Sequence, residues 1–143
     1  MKAKSRRYAR KIKFTVKEME FLSNNEDCRI ATVSPDSTPH ITPVSYVFQK
    51  NMLFFATDYD TKKYKNLKQN PNIALVVDTY SSLKNSAIII HGKVDFIEQG
   101  IKFRKLYEIF DRKFEWVRAD PWKESEAPFV QVEPYKKISC GLV

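Results

Sequence analysis

Residues 52–78 constrain the fold more tightly than any other stretch, because they read in succession as strand, tight turn, short helix and strand. Met52–Thr57 is apolar and aromatic and Ile73–Val77 is largely β-branched, the compositions of buried strands. Between them Asp60 or Thr61 can cap a helix that runs through Leu67, and Asn70-Pro71 stops it. Lys62 and Lys63 fall in the first helical turn, where a positive side chain opposes the helix dipole at about 0.3–1 kcal/mol each when exposed. Two readings are open. The lysines form a solvated face, or they are half of an anion site in which free N–H groups, two ammonium groups and the hydroxyls of Thr57 and Thr61 converge on one phosphate.

The totals narrow the classes. A chain of 143 residues with 43% hydrophobic and 13% aromatic content suits one packed domain and not a disordered chain. Its 3 glycines, Gly92, Gly100 and Gly141, exclude a glycine-rich dinucleotide fingerprint or a P-loop. The net charge of +8 is uneven: seven lysines and arginines and no acid occupy residues 1–13, which leaves +1 for residues 14–143. That basic arm reads as a solvated terminus or as a weak contact for nucleic acid or an anionic surface. No apolar run of signal or membrane-spanning length follows it, so a soluble cytoplasmic protein with no membrane contact is expected. Cys28 and Cys140 lie outside any CxxC spacing, and with two histidines they suggest free, buried thiols and no metal site or disulfide.

Along the chain, Thr15 and Glu18 match a capping box for a helix over residues 16–24, with Val16, Met19 and Leu22 on its buried face. Cys28–Ser34, with Ile30 and Val33 inward, and His40–Phe48, interrupted by Pro43, read as strands either side of the Pro35–Thr38 turn. Lys50-Asn51 is a two-residue hairpin turn into Met52–Thr57. After the short helix come Ile73–Tyr80, a polar loop, and Ala87–Ile97, whose first half is continuously apolar and whose Gly92 marks a bulge. Gln99–Trp116 reads as the longest helix, with Phe103, Leu106, Tyr107, Phe110 and Phe114 as a core stripe. Phe129–Ile138 completes six antiparallel strands, the content of a closed or split barrel and not of a parallel sheet.

Together these segments resemble the pyridoxamine-phosphate-oxidase-like, FMN-binding split-barrel family. The resemblance lies in FFATDYDTKKYKNLKQNPNIALVV, in Arg29–Val33 as an R-x-A-T-V strand and in Pro39–Val44 as a P-H-x-x-P-V strand, and it spans Phe21 to Ile138. It implies a six-stranded antiparallel split β-barrel over residues 14–143 behind an arm of residues 1–13. It also implies a homodimer with FMN at the subunit interface. Carried over, Thr32, Pro43, Val44 and Ser45 would border the flavin ring, and Thr57, Thr61, Lys62 and Lys63 would hold its phosphate. Asn66 lies one helical turn further on. Arg29 reads either as a neighbour of ring or phosphate or as a surface strand residue. Ser86-Ala87 stand where true pyridoxamine-phosphate oxidases carry Arg-Gln, and their substrate-binding C-terminal extension has no counterpart, so vitamin B6 oxidation is not expected.

The resemblance therefore implies an FMN-dependent oxidoreductase that moves hydride through flavin N5 to or from a small organic substrate. The alternative keeps the barrel and binds the deazaflavin coenzyme F420 at the same lysines. A non-enzymatic flavin-binding or single-strand-binding barrel is a third reading, against which stands the near-neutral body. His40 and His91 read as packing or surface residues and not as general acids, and Trp116 and Trp122 read as core or loop packing or as a cover over the ring from the partner subunit.

Overall fold

A computed structural model describes residues 12–142; most of the basic arm lies outside the described residues. Seven strands form one antiparallel sheet in the order β2-β1-β5-β6-β7-β4-β3. They are β1 (Asp27–Val33), β2 (Pro39–Ser45), β3 (Val47–Gln49), β4 (Met52–Ala56), β5 (Asn72–Tyr80), β6 (Asn85–Ile97) and β7 (Phe129–Cys140). Four helices accompany them: α1 (Val16–Asn24), α2 (Lys62–Gln69), α3 (Ile101–Lys113) and α4 (Glu115–Ala119).

Seven strands replace the expected six because His40–Phe48 is not one strand. The chain bends at Tyr46 and passes from one edge of the sheet, β2, to the other, β3, so the sheet curls into a split barrel. Tyr46 is fully buried and held on several sides. Its N–H donates to Glu26 O at 3.0 Å, its hydroxyl donates to Leu22 O, and its own carbonyl accepts from Lys113 Nζ at 3.0 Å. Burial lowers the Lys113 pKa, opposed by the nearby Glu26 charge, and Nζ lies over the Tyr46 ring at 4.9 Å.

Local signals hold where they are chemical. Thr15 and Glu18 form the reciprocal capping box. Lys50 and Asn51 both have positive φ, 53° and 62°, the backbone of a tight two-residue hairpin turn. Asn70 ends α2 with its N–H on Asn66 O. The register slips between His91 and Gly92, where Gly92 faces Pro134 and His91 faces Lys136, so the extra residue is Tyr135 on β7. The expected helix Gln99–Trp116 is shorter and broken. It starts after Gly100 and is interrupted at Phe114, whose φ of −123° and ψ of 122° are extended, before the separate α4.

Two apolar clusters fill the molecule. One lies inside the curl, with Ile30, Tyr46, Leu53, Phe55, Leu75, Val77, Ile88, Ile90 and Val132. The other lies under α3 and α4, with Phe54, Phe103, Leu106, Phe110, Phe114, Val117 and Phe129. β4 separates them, which is why Leu53, Phe54 and Phe55 are all buried. Ile12 packs on the first cluster, so the last residues of the basic stretch already join the body.

Several burial expectations are corrected. Val16 is exposed and Glu18 is buried instead, where it meets Lys137 of β7 at 2.5 Å. Burial pushes the Glu18 carboxyl up, but hydrogen bonds from Lys137, the Thr15 N–H and Ser139 outweigh it and hold the group below its ordinary value. Val33 and Ile89 face outward, and Cys140 is exposed while Cys28 is buried. The Ile88–Ile90 run thus alternates between core and surface.

Candidate functional site

The turn from β4 into α2 gathers four of the expected residues. Thr57, buried directly after the strand, donates its N–H to Pro128 O at 3.3 Å. Thr61, not Asp60, caps α2: its Oγ1 accepts from Tyr64 N at 3.3 Å and donates to Asp58 O at 2.9 Å. That oxygen lies 2.8 Å from Thr57 Oγ1, so the two hydroxyls share one spot at the helix end. Lys65 N–H closes on Thr61 O, which leaves the first-turn N–H groups of Lys62 and Lys63 without an acceptor among the described residues. α2 has no acidic residue in its first turn, and neither lysine meets a carboxylate among the described residues. Lys62 is exposed and Lys63 half-buried. Tyr64 fixes the turn from behind, edge-on to Tyr59 and Phe96 at 5.0 Å each, and the Tyr59 hydroxyl donates to Glu98.

Asn66 belongs to the same helix but faces inward. Its Nδ2 donates to Thr32 Oγ1 at 3.0 Å, and both side chains are buried, at 3% and 1% exposure. The pair therefore joins α2 to β1 in the interior, and Thr32 can reach a ligand through its backbone only.

Arg29, Pro43 and Ser45 lie on the opposite, outer face, while Val44 turns inward with Cys28 and Ile30. Register sets one row across five strands: Pro43, Arg29, Val76, Ile89 and Ile138. A second row is Ile41, Ala31, Ala74, His91 and Lys136. Arg29 is paired with Asp78 at 2.9 Å, a partner that sequence spacing did not indicate. The face around this exposed pair is apolar: Ile41 is 67%, Ile138 52% and Ile89 38% exposed.

Trp116 and Trp122, expected as packing residues, form a further feature. The two indoles stack 5.9 Å apart, 7° from parallel. With Thr57, Asp58, Asp120 and Glu126 they line a cleft of about 280 Å³ beside the β4–α2 turn. No periodicity could have found it, because Trp116 lies in α4, Trp122 lies in the loop after it, and both meet Thr57 only through the fold. Ser86, on the strand where an Arg-Gln pair was absent, is buried and donates to Gly141 O at 3.1 Å. Among the described residues no helix is long and apolar enough to cross a membrane.

Comparison with known proteins adds context to this geometry. Residues 14–134 match the family model described as pyridoxamine 5'-phosphate oxidase. A 5a,11a-dehydrotetracycline/5a,11a-dehydrooxytetracycline reductase of Streptomyces rimosus is 29% identical, over 64% of this chain and 70% of its own. Among solved structures, an F420 reductase is 23% identical with a TM-score of 0.62, covering 83% of this chain and 94% of its own. An FAD-binding protein of Mesorhizobium loti is 16% identical with a TM-score of 0.70, covering 88% and 93%. At these identities the solved structures establish the shared fold.

Proposed function

The chain belongs to the pyridoxamine 5'-phosphate oxidase family, and from that premise we propose that it is a flavin-dependent oxidoreductase that binds FMN through the β4–α2 turn. The observation that carries this reading is the pair of uncompensated lysines at a helix N-terminus, beside two hydroxyls 2.8 Å apart. A helix end with two cations and no acid is unfavourable when empty and favourable around a dianion. The donor set fits a phosphate monoester: Lys62 and Lys63 neutralise it, and their N–H groups orient it together with the Thr57 hydroxyl, which turns its proton from Thr61 to the phosphate while Thr61 stays bonded to Asp58 O. The Asn66–Thr32 bond holds α2 in place and so fixes the direction in which the rest of the cofactor leaves the turn. When bound, the flavin would supply hydride chemistry at its N5 atom, and the protein need supply only position and charge.

We further propose that a second copy of the chain covers the outer face, with the flavin between the two. An apolar face with Ile41, Ile89 and Ile138 exposed together favours a partner over water. On this arrangement the backbone of Thr32, Pro43 and Ser45, with Arg29 beside them, borders the ring. The substrate is a small organic molecule, and the name of the Streptomyces rimosus relative, a dehydrotetracycline reductase, makes dehydrotetracyclines the first compounds to assay.

The deazaflavin coenzyme F420 is the second reading, favoured by likeness to the F420 reductase, since its phosphate could meet the same lysines. The test is an absorption spectrum of the freshly purified protein followed by FMN titration and sedimentation. Yellow protein, or micromolar binding of one FMN per chain in a dimer, is the expected result. Colourless protein that ignores FMN overturns the reading and moves the work to F420.

A further inference from the structure

The cleft beside the β4–α2 turn shares Thr57 with the phosphate anchor but contains no residue of β1, β2 or α2. Its wall is the Trp116–Trp122 stack; Trp116 also stacks with Phe114 at 5.9 Å and remains 40% exposed as a residue. Asp58, Asp120 and Glu126 line it, and no lysine, arginine or histidine does. None of the three carboxylates has a cationic partner among the described residues; Glu126 accepts only the Lys123 N–H, at 2.6 Å. A volume of about 280 Å³ accommodates one planar ring system and little more.

A phosphate held by Lys62 and Lys63 stands next to this cleft, so any group attached beyond that phosphate on the Thr57 side enters it first. Flavin-type cofactors differ at that point. FMN ends at its phosphate, FAD continues through a second phosphate into an adenosine, and the deazaflavin coenzyme F420 continues into a chain of glutamates. We propose that the cleft sorts cofactors by the group beyond the phosphate: Trp116 receives a planar nucleobase, and Asp58, Asp120 and Glu126 repel an oligoglutamate tail. This inference rests on the flavin reading above and assigns the turn its selectivity.

The physical basis is simple. Bases stack on an exposed indole whatever their sequence identity, because every base has a π face. Like charges brought within a screening length, about 8 Å at physiological ionic strength, repel one another, and among the described residues no cation lines the cleft itself. FAD brings one charge beyond the shared phosphate and an oligoglutamate tail brings several, so the two effects act in the same direction on the ratio of F420 to FAD dissociation constants.

The test titrates FMN, FAD and F420 into the full chain and into the triple variant Asp58→Asn/Asp120→Asn/Glu126→Gln, with circular dichroism as the folding control. The wild type is expected to bind FAD at least about tenfold more tightly than F420, and the triple variant to narrow that ratio through tighter F420 binding, leaving only the part that Trp116 supplies. Trp116→Ala is expected to weaken FAD by about tenfold relative to FMN. If the triple variant fails to fold, the wild type still decides, since added salt must narrow its FAD-to-F420 ratio. FMN binding with a ratio that neither the substitutions nor salt alters overturns the inference alone. A wild type that ignores FMN and takes F420 overturns both the inference and the flavin reading.

Discussion

Replacing Lys62 and Lys63 by alanine together should move two measurable quantities in opposite directions. In the protein without cofactor, both ammonium groups sit in the first turn of α2 with no acid there to compensate them. Their removal relieves about 0.3–1 kcal/mol each, and alanine adds slightly to helix propensity. The Lys62 contribution is screened because that side chain is exposed, so a gain of about 1 kcal/mol is the reasonable sum. For a domain of this length that raises the midpoint of thermal unfolding by about 2–5 °C. With FMN present the sign reverses. Each charge-assisted contact to the phosphate is worth about 1.5–3 kcal/mol. Discounting the exposed Lys62, the pair contributes about 3 kcal/mol, or roughly a hundredfold in dissociation constant. The assay is calorimetric titration with FMN, paired with thermal unfolding of the cofactor-free protein followed by circular dichroism. Weaker FMN binding with a more stable apoprotein is the expected signature. An affinity within about threefold of wild type would refute the phosphate anchor. Losses of stability and affinity together would instead make the lysines part of the scaffold.

Gly92→Ala should destabilise by about 1–3 kcal/mol, since an added Cβ would stand 2.7 Å from Val132 Cγ1 and 2.8 Å from Glu133 O beside the bulge; urea unfolding measures it. The Glu18 carboxyl lies below its ordinary value in the fold, so its contribution is complete above the ordinary carboxylate range and is lost as pH falls through the lower, folded value. Glu18→Gln should therefore cost stability at neutral pH and flatten the acid limb, seen as a smaller wild-type-to-variant gap in urea midpoint at acid pH. Thiol titration should find one reactive cysteine in the native protein and two after unfolding. Cys140 is exposed, while burial pushes the Cys28 thiol up to about 12 and keeps it unreactive. Asn66→Ala should lower the unfolding midpoint, because it strands the buried Thr32 hydroxyl at about 1–3 kcal/mol; an unchanged midpoint would show that water replaces the lost donor.

What the sequence alone determined is what neighbouring residues decide between themselves. The Thr15–Glu18 capping box, the Lys50-Asn51 turn, the stop at Asn70-Pro71 and the capped start of α2 each involve groups within a few bonds of one another, so their energies are largely independent of the rest of the chain. The family likeness extended this to the fold class, because strand compositions and turn chemistry recur together. The errors fall where a residue's surroundings come from distant segments. Periodicity marks Val33 and Ile89 as apolar but cannot say that their face is left exposed among the described residues. Nothing local shows that the chain changes sheet edge at Tyr46, since Glu26, Leu22 and Lys113 supply the partners that hold it. That the Thr32 hydroxyl is bonded to Asn66, far along the chain, is likewise invisible in the sequence. Only the tertiary structure brought Trp116 and Trp122 to Thr57 and Asp58 and made a cleft of them. Hydrogen bonds and packing act over a few ångströms in space, while a sequence orders residues only by distance along the chain.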